Sequence, residues 1–235
     1  MKYAFEGRVR FSETDENGLL TNAALVNYFQ DVATFHSEDA GVGLRALLDT
    51  RHAVWVLSSW QILIDERPHM GEQICASTWA YQFKGCIGLR NFTLTGEGGR
   101  LLARANSVWS FFDLDKLRPV RVDEEMKSHY AMDEPLDMPY QSRKMQIPEG
   151  GDIADRVVIG RSHLDANHHV NNGQYIVIAE AYAGEAKQCR KLSAEYKMQA
   201  HLGDVILPRV ITLPGETIVA LENEEGKLYC AVSFA

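Results

Sequence analysis

The segment SHLDANHHVNNGQY, residues 162–175, sets two adjacent histidines between an aspartate and a pair of asparagines, directly before an apolar stretch. An imidazole is the side chain best suited to accept a proton near neutral pH. Asp165 and Asn167 precede His169 closely enough to converge with it from one tight loop. A carboxylate or an amide there can orient the second ring nitrogen or an attacking water. A helix starting near Asn172 would add the free N–H groups of its first turn, which favour a developing oxyanion. Asn171 or Asn172 suits the N-cap. A base, an orienting amide, a carboxylate and a helix end together suit hydrolysis of an activated acyl group. In an extended segment His168 would face away from His169, so His169, nearer the helix, is the candidate base.

Other readings of the segment stand beside this one. Asp and Asn fill many loops only because they tolerate turn geometry, and a loop histidine can simply be solvated. A structural zinc site wants four ligands, usually with cysteine, and none lies near. No GxSxG elbow accompanies Ser162. The glycines of GEGGR, residues 96–100, lead into no helix, so they suit a hairpin and not a phosphate. No cofactor and no metal is expected.

These residues need elements to hold them. Residues 4–12 read as a short strand, ending in the turn-rich SETDENG. Residues 22–40 read as a helix, with Leu25, Phe29, Val32 and His36 along one face and GVG at 41–43 as its stop. The period then changes. Four runs rich in β-branched and aromatic residues, from HAVWVLSSWQILIDE to LLARANSVWSFFDL, are separated by tight-turn signals and predict antiparallel strands. Residues 123–150 are proline-rich and charged and lack a steady period, as in a linker or a surface excursion. A second unit follows: a short strand RVVIGRSHL, the loop, a helix QYIVIAEAYAG that is apolar nearly all round, and four strands from residue 191 to the end.

The order strand, loop, helix, strands thus occurs twice. TDENG matches LDANH, pairing Asp15 with Asp165 and Asn17 with Asn167. HMGEQI at 69–74 matches HLGDVI at 201–206, and Tyr28 is taken as the counterpart of Tyr175. The expected fold class is α+β, a tandem (double) hot-dog, each copy a long helix wrapped by a curved antiparallel β-sheet. The expected boundaries are 1–125 for the first copy, 126–150 for a linker and 151–235 for the second. Leu19 stands in the first copy where His169 stands in the second. That asymmetry suggests chemistry in the second copy and, most simply, a pocket in the first. Phe29, Val32, Trp55, Leu57 and Trp60 are either its lining or plain core packing.

A net charge of −8 over 235 residues argues against non-specific nucleic-acid binding. No apolar run has the length of a membrane span, and the N-terminal residues lack a signal-peptide pattern. Cys75, Cys86, Cys189 and Cys230 form no CxxC pair and read as reduced thiols, Cys189 the most exposed of them. A cytoplasmic location is expected.

Over nearly the whole chain the sequence resembles the acyl-acyl-carrier-protein thioesterases, the plant chain-terminating enzymes and their bacterial relatives. RFSETDENGLLTNAALVNYFQDVATFHSEDAGVG resembles the family's first strand, loop and helix, and LSAEYKMQAHLGDVI its later strand pair. HLDANHHVNNGQYI resembles the distinctive Asp-x-Asn-x-His-Val-Asn-Asn-x-x-Tyr run. The resemblance implies a double hot-dog that hydrolyses fatty acyl thioesters on acyl carrier protein, with Asp165, Asn167 and His169 in the catalytic set. The family's next Glu, often followed by Cys, falls on Gln199 and Ala200. A Cys-His-Asn mechanism therefore cannot apply, and Gln199 can hold a water but cannot be a base. Plant members begin with a transit peptide and this sequence does not, which fits a bacterial, cytosolic relative.

The implied partner is acidic, so docking would use a basic patch drawn from Arg8, Arg10, Arg51, Arg90, Arg161, Lys187, Arg190, Lys191 and Lys197. Rival readings are a thioesterase acting on acyl-coenzyme A and a non-catalytic acyl-binding protein. Monomer and homodimer are both compatible with a chain carrying two copies.

Overall fold

The computed structural model describes residues 2–235. Strand β1 (Tyr3–Arg8) leads through a 3-10 turn at Phe11–Glu13 into helix α1 (Asn22–Asp39). The Thr21 hydroxyl accepts the Ala24 N–H and starts the helix. Gly41, at φ +76°, turns the chain away after it. Leu25, Phe29, Val32 and His36 are buried along one face of α1, as their spacing predicts. Each large apolar side chain so buried contributes about 1.5–3 kcal/mol.

A short helix, α2 (Leu44–Arg51), comes next. Then follow β2 (Ala53–Ile64), β3 (Gln73–Lys84), β4 (Ile87–Thr95) and β5 (Leu101–Asp113). These four are the antiparallel strands read from the sequence. After β6 (Arg118–Pro119) and α3 (Glu124–Ser128) the chain crosses the outer face of the sheet. This strap is tied down by polar side chains rising from the strands. Asn91 Oδ1 accepts the Leu136 N–H, Gln61 bonds Pro139 O and the Gln141 N–H, and Glu195 Oε2 accepts the Met145 N–H. Asn91, Gln61 and Glu195 are buried, and the strap supplies the partners that burial demands.

The second half has β7 (Asp152–Ile153), β8 (Val157–Val158), a 3-10 turn at Arg161–His163, and α4 (Asn172–Glu180). It ends with β9 (Lys191–Tyr196), β10 (Val205–Leu213), β11 (Glu216–Glu222) and β12 (Leu228–Phe234). The run RVVIGRSHL keeps only two strand residues, Val157 and Val158, and ends in this 3-10 turn.

All of this is one curved sheet, ordered β1-β3-β4-β5-β2-β9-β12-β11-β10-β7. The halves join where β2 pairs antiparallel with β9, Gln61 facing Ser193 at the centre of the five-pair register. A local two-fold axis passes there: Trp60 faces Ala194 on one side, and Ile62 faces Leu192 on the other. α1 and α4 lie side by side against the inner face, running antiparallel. The Asn22 amide donates to Glu180 at 2.6 Å, and the Asn172 amide donates to Gln30 at 2.8 Å, at the two ends of the pair. Between them a Cβ on Gly173 would lie 2.4 Å from Oδ1 of the exposed Asn27, so a larger residue there would turn the Asn27 side chain aside.

Candidate active site

The loop before α4 is shaped by one carboxylate. Asp165 Oδ1 accepts the Asn167 N–H at 2.8 Å. The Asp165 N–H meets His169 O at 2.9 Å, and the His168 N–H meets Asp165 O at 3.1 Å. The tightness puts His168 at φ +62°, a conformation uncommon for a side-chain-bearing residue. Its ring is exposed while His169 is half-buried, so the two histidines do diverge. Leu164 and Val170 close the loop base as an isolated bridge, and the Val170 N–H bonds Ala200 O at 3.0 Å.

His169 meets another histidine. The rings of His169 and His201 stand edge to face with centroids 4.9 Å apart. His201 is held by Asp204, whose Oδ2 accepts the His201 N–H at 2.8 Å and lies 3.7 Å from Nδ1. Tyr229 donates to the same oxygen at 3.3 Å. Burial pushes the His169 pKa down, the neighbouring His201 adds to this, and Asp165 pulls the other way. The ring is thereby held neutral at pH 7, the form that accepts a proton.

The sequence-predicted residues do not all converge. Asp165 and His169 share the half-buried floor of the loop, while the side chains of Asn167 and Gln199 are exposed. His201, two residues past Gln199, is the group that reaches His169. Its signal was the repeated HMGE and HLGD, which the sequence reading used only to align the halves. The N-cap is Asn171, whose Oδ1 accepts the Gly173 N–H at 2.8 Å. That occupies the Gly173 amide, so it is not among the free first-turn donors that the sequence predicts for an oxyanion.

Tyr28 is not the counterpart of Tyr175. The caps Thr21 and Asn171 align, which sets Leu25 opposite Tyr175. Tyr28 OH bonds Glu13 and Arg8 O, whereas Tyr175 OH accepts the Ala200 N–H. Cys189 is buried at 8% exposure, with its thiol pKa pushed to about 11, while Cys75 and Cys86 are the half-exposed thiols. Phe29, Val32, Leu57 and Trp60 are buried and Trp55 is half-buried. The Phe29, Trp60 and Phe92 rings pack within 4.9–6.1 Å of one another, so this stretch is filled core. Arg90, at 8% exposure, cannot belong to a surface patch. Arg51, Lys187 and Lys197 are engaged by Asp123 and Glu125, by Glu16, and by Glu195. Among the described residues no three His, Cys, Asp or Glu side chains converge as a metal would need. No helix among them is long and apolar enough to cross a membrane.

Residues 1–130 match the family model for the acyl-ACP thioesterase N-terminal domain. The chain belongs to the acyl-ACP thioesterase family. Among its relatives, oleoyl-acyl carrier protein thioesterase 1 of Arabidopsis thaliana is 27% identical over 84% of the chain and 60% of its own length. Oleoyl-acyl carrier protein thioesterase 2 of the same plant is 28% identical over 93% of the chain and 65% of its own. The chain thus spans less than two thirds of these relatives. The fold is shared with an acyl-ACP thioesterase from Bacteroides thetaiotaomicron, with TM-score 0.89, 24% identity and coverage of 99% and 96% of the two chains. It is shared too with the 12:0-ACP thioesterase of Umbellularia californica, with TM-score 0.85, 15% identity and coverage of 99% and 95%. Both matches extend over the two halves, so the double hot-dog architecture holds along the whole chain.

Proposed function

We propose that the protein hydrolyses fatty acyl thioesters carried on acyl carrier protein, releasing the free acid and the carrier thiol. The observation that carries this is His169, neutral and half-buried, on the loop that opens α4 in a chain of this family. Water is the nucleophile. His169 takes its proton as it adds to the thioester carbonyl, then returns a proton to the leaving thiolate. Asp165 acts through the loop: it fixes the turn and offsets the positive charge His169 gains. Asn167, exposed on the same turn, meets the incoming substrate. His201 keeps His169 deprotonated between turnovers. The N–H of Asn172 in the first turn of α4 serves the oxyanion, since the Gly173 amide is already bonded. Gln199, exposed at the rim, positions water or substrate by hydrogen bonds alone.

Acyl carrier protein docks through exposed cations, with Arg161 beside the loop the nearest of the basic candidates in sequence. A bacterial origin and a cytosolic site of action go with this reading, and four free thiols support the location. The test is a panel of acyl thioesters matched in chain and differing in carrier, with the freed acids identified. Carrier-protein substrates are expected to turn over faster than coenzyme A substrates and to slow more as salt is raised. Equal rates and equal salt response would favour acyl-coenzyme A, and tight retention without release would favour a binding protein.

A further inference from the structure

The end of α4 that follows the His169 loop is met by a side chain of the first copy. Gln30 of α1 is half-buried, and its Oε1 accepts the Asn172 amide at 2.8 Å. Asn172 is the first residue of α4 and lies three residues past His169. Its backbone N–H bonds nothing among the described residues, which leaves it available to an oxyanion. The rest of Asn172 is held in place. Tyr196 OH donates to its carbonyl at 3.2 Å, and Gln30 fixes its side chain.

The twofold-related pair shows what a closed tie between the helices looks like. Asn22 Nδ2 donates to Glu180 at 2.6 Å and to Lys187 O at 2.8 Å, while its Oδ1 accepts Arg67 at 2.7 Å. Every polar atom of that amide is used. Around Asn172 no cation takes the place of Arg67, since Gln199 is exposed. Asn172 Oδ1 and Gln30 Nε2 therefore have no partner among the described residues. The two contact residues also differ in charge. Glu180 is an acid held beside a cation, whereas Gln30 is neutral. A carboxylate at position 30 would compete with a developing oxyanion for the first-turn N–H groups of α4, and an amide does not.

We propose that Gln30 of the first copy is a positioning residue of the active site: it holds Asn172 so that the Asn172 N–H meets the thioester oxygen, and it does so without bringing charge. The inference rests on the thioesterase reading, and it makes the site a product of both copies. The test is Gln30→Glu, assayed across pH on the acyl carrier protein thioester that wild type hydrolyses fastest. Glutamate keeps the tie, because Glu180 accepts Asn22 in the same way on the other side. It adds only the charge. The variant should lose at least about tenfold in kcat at pH 8, with KM within about threefold, as expected for an interaction made in the transition state. The deficit relative to wild type should narrow as pH falls and the new carboxyl takes up a proton. Glu180→Gln, the reverse exchange at the closed tie, should leave kcat within about twofold. Wild-type kcat in Gln30→Glu, a loss confined to KM, a kcat deficit that does not vary with pH, or an equal kcat loss in Glu180→Gln would each overturn it. If Gln30→Glu fails to fold, a folded Gln30→Ala should lose at least about tenfold in kcat, and full turnover there again overturns it. Full turnover in the variants beside an active wild type removes only the role of Gln30. A wild type that hydrolyses no member of the thioester panel removes the thioesterase reading and this role with it.

Discussion

The loops at residues 15–21 and 165–171 share a backbone and differ in what stands on it. Asp15 Oδ1 accepts the Asn17 N–H at 2.9 Å, as Asp165 Oδ1 accepts the Asn167 N–H at 2.8 Å. The Leu20 N–H bonds Pro68 O and the Val170 N–H bonds Ala200 O, each at 3.0 Å. Gly18 takes φ +74° where His168 takes +62°. The side chains then part company. Leu19 is bridged to His69 in the first half, while His169 faces His201 in the second. Arg67, at the place of Gln199, turns inward and donates to Asn22 Oδ1 at 2.7 Å, and to Leu20 O and Cys189 O at 3.1 Å each. Glu180, at the place of Gln30, is half-buried beside it, and loss of solvent raises its carboxyl pKa. The first site is filled by Arg67 and its partners, whereas in the second Gln199 stays exposed beside His169. Shared loop geometry is therefore a scaffold, and the chemistry rests on a few exchanged side chains.

The comparison can be broken by substitution. Replacing His169 by leucine, the residue of the first loop, should lower turnover at least 100-fold, within the range of a lost general base, whereas Leu19→Ala should leave it within about twofold. Steady-state kinetics on one acyl carrier protein substrate decides this, and equal losses would remove the distinction between the loops. Replacing Arg67 by glutamine, the residue of the second half, strips donors from three acceptors and should cost about 2–3 kcal/mol in denaturant unfolding. Gln199→Ala, on an exposed side chain, should change stability by less than about 0.5 kcal/mol. Gly173→Ala sharpens the picture from the helix side: only side-chain ends, chiefly that of the exposed Asn27, have to give way, so the melting temperature should change little. The smallest effect is electrostatic. His201→Gln removes a neighbour that lowers the His169 pKa, so the acid limb of the pH–rate profile should move to higher pH, with at most a few-fold loss at its plateau.

Much of this architecture was legible in residue patterns. Helix α1 and nine of the strands follow from period and turn residues. The repeat was legible too, since loop-forming Asp and Asn and the HxG turns recur at matching places. α2 and α3 were missed: both are short, and α3 lies where proline and charge mask any period. Tyr28 was misaligned because aromatic identity was followed instead of the helix caps. His201 and Arg67 could not be placed, because their importance comes from contacts across the loop and the helix pair, which linear spacing does not encode. That Asn171, and not Asn172, caps α4 was left open in sequence, and with it which first-turn amide is taken up by the cap.

The central claim is that His169, in its neutral form, accepts the proton of the attacking water. It is tested most directly by titrating the His169 ring by NMR and comparing its pKa with the acid limb of kcat/KM for an acyl carrier protein thioester. The account predicts that the two coincide below the ordinary histidine value of about 6.5, and that they move upward together in His201→Gln. A limb that stays in place when the ring titration moves, or that survives in His169→Ala, would contradict it.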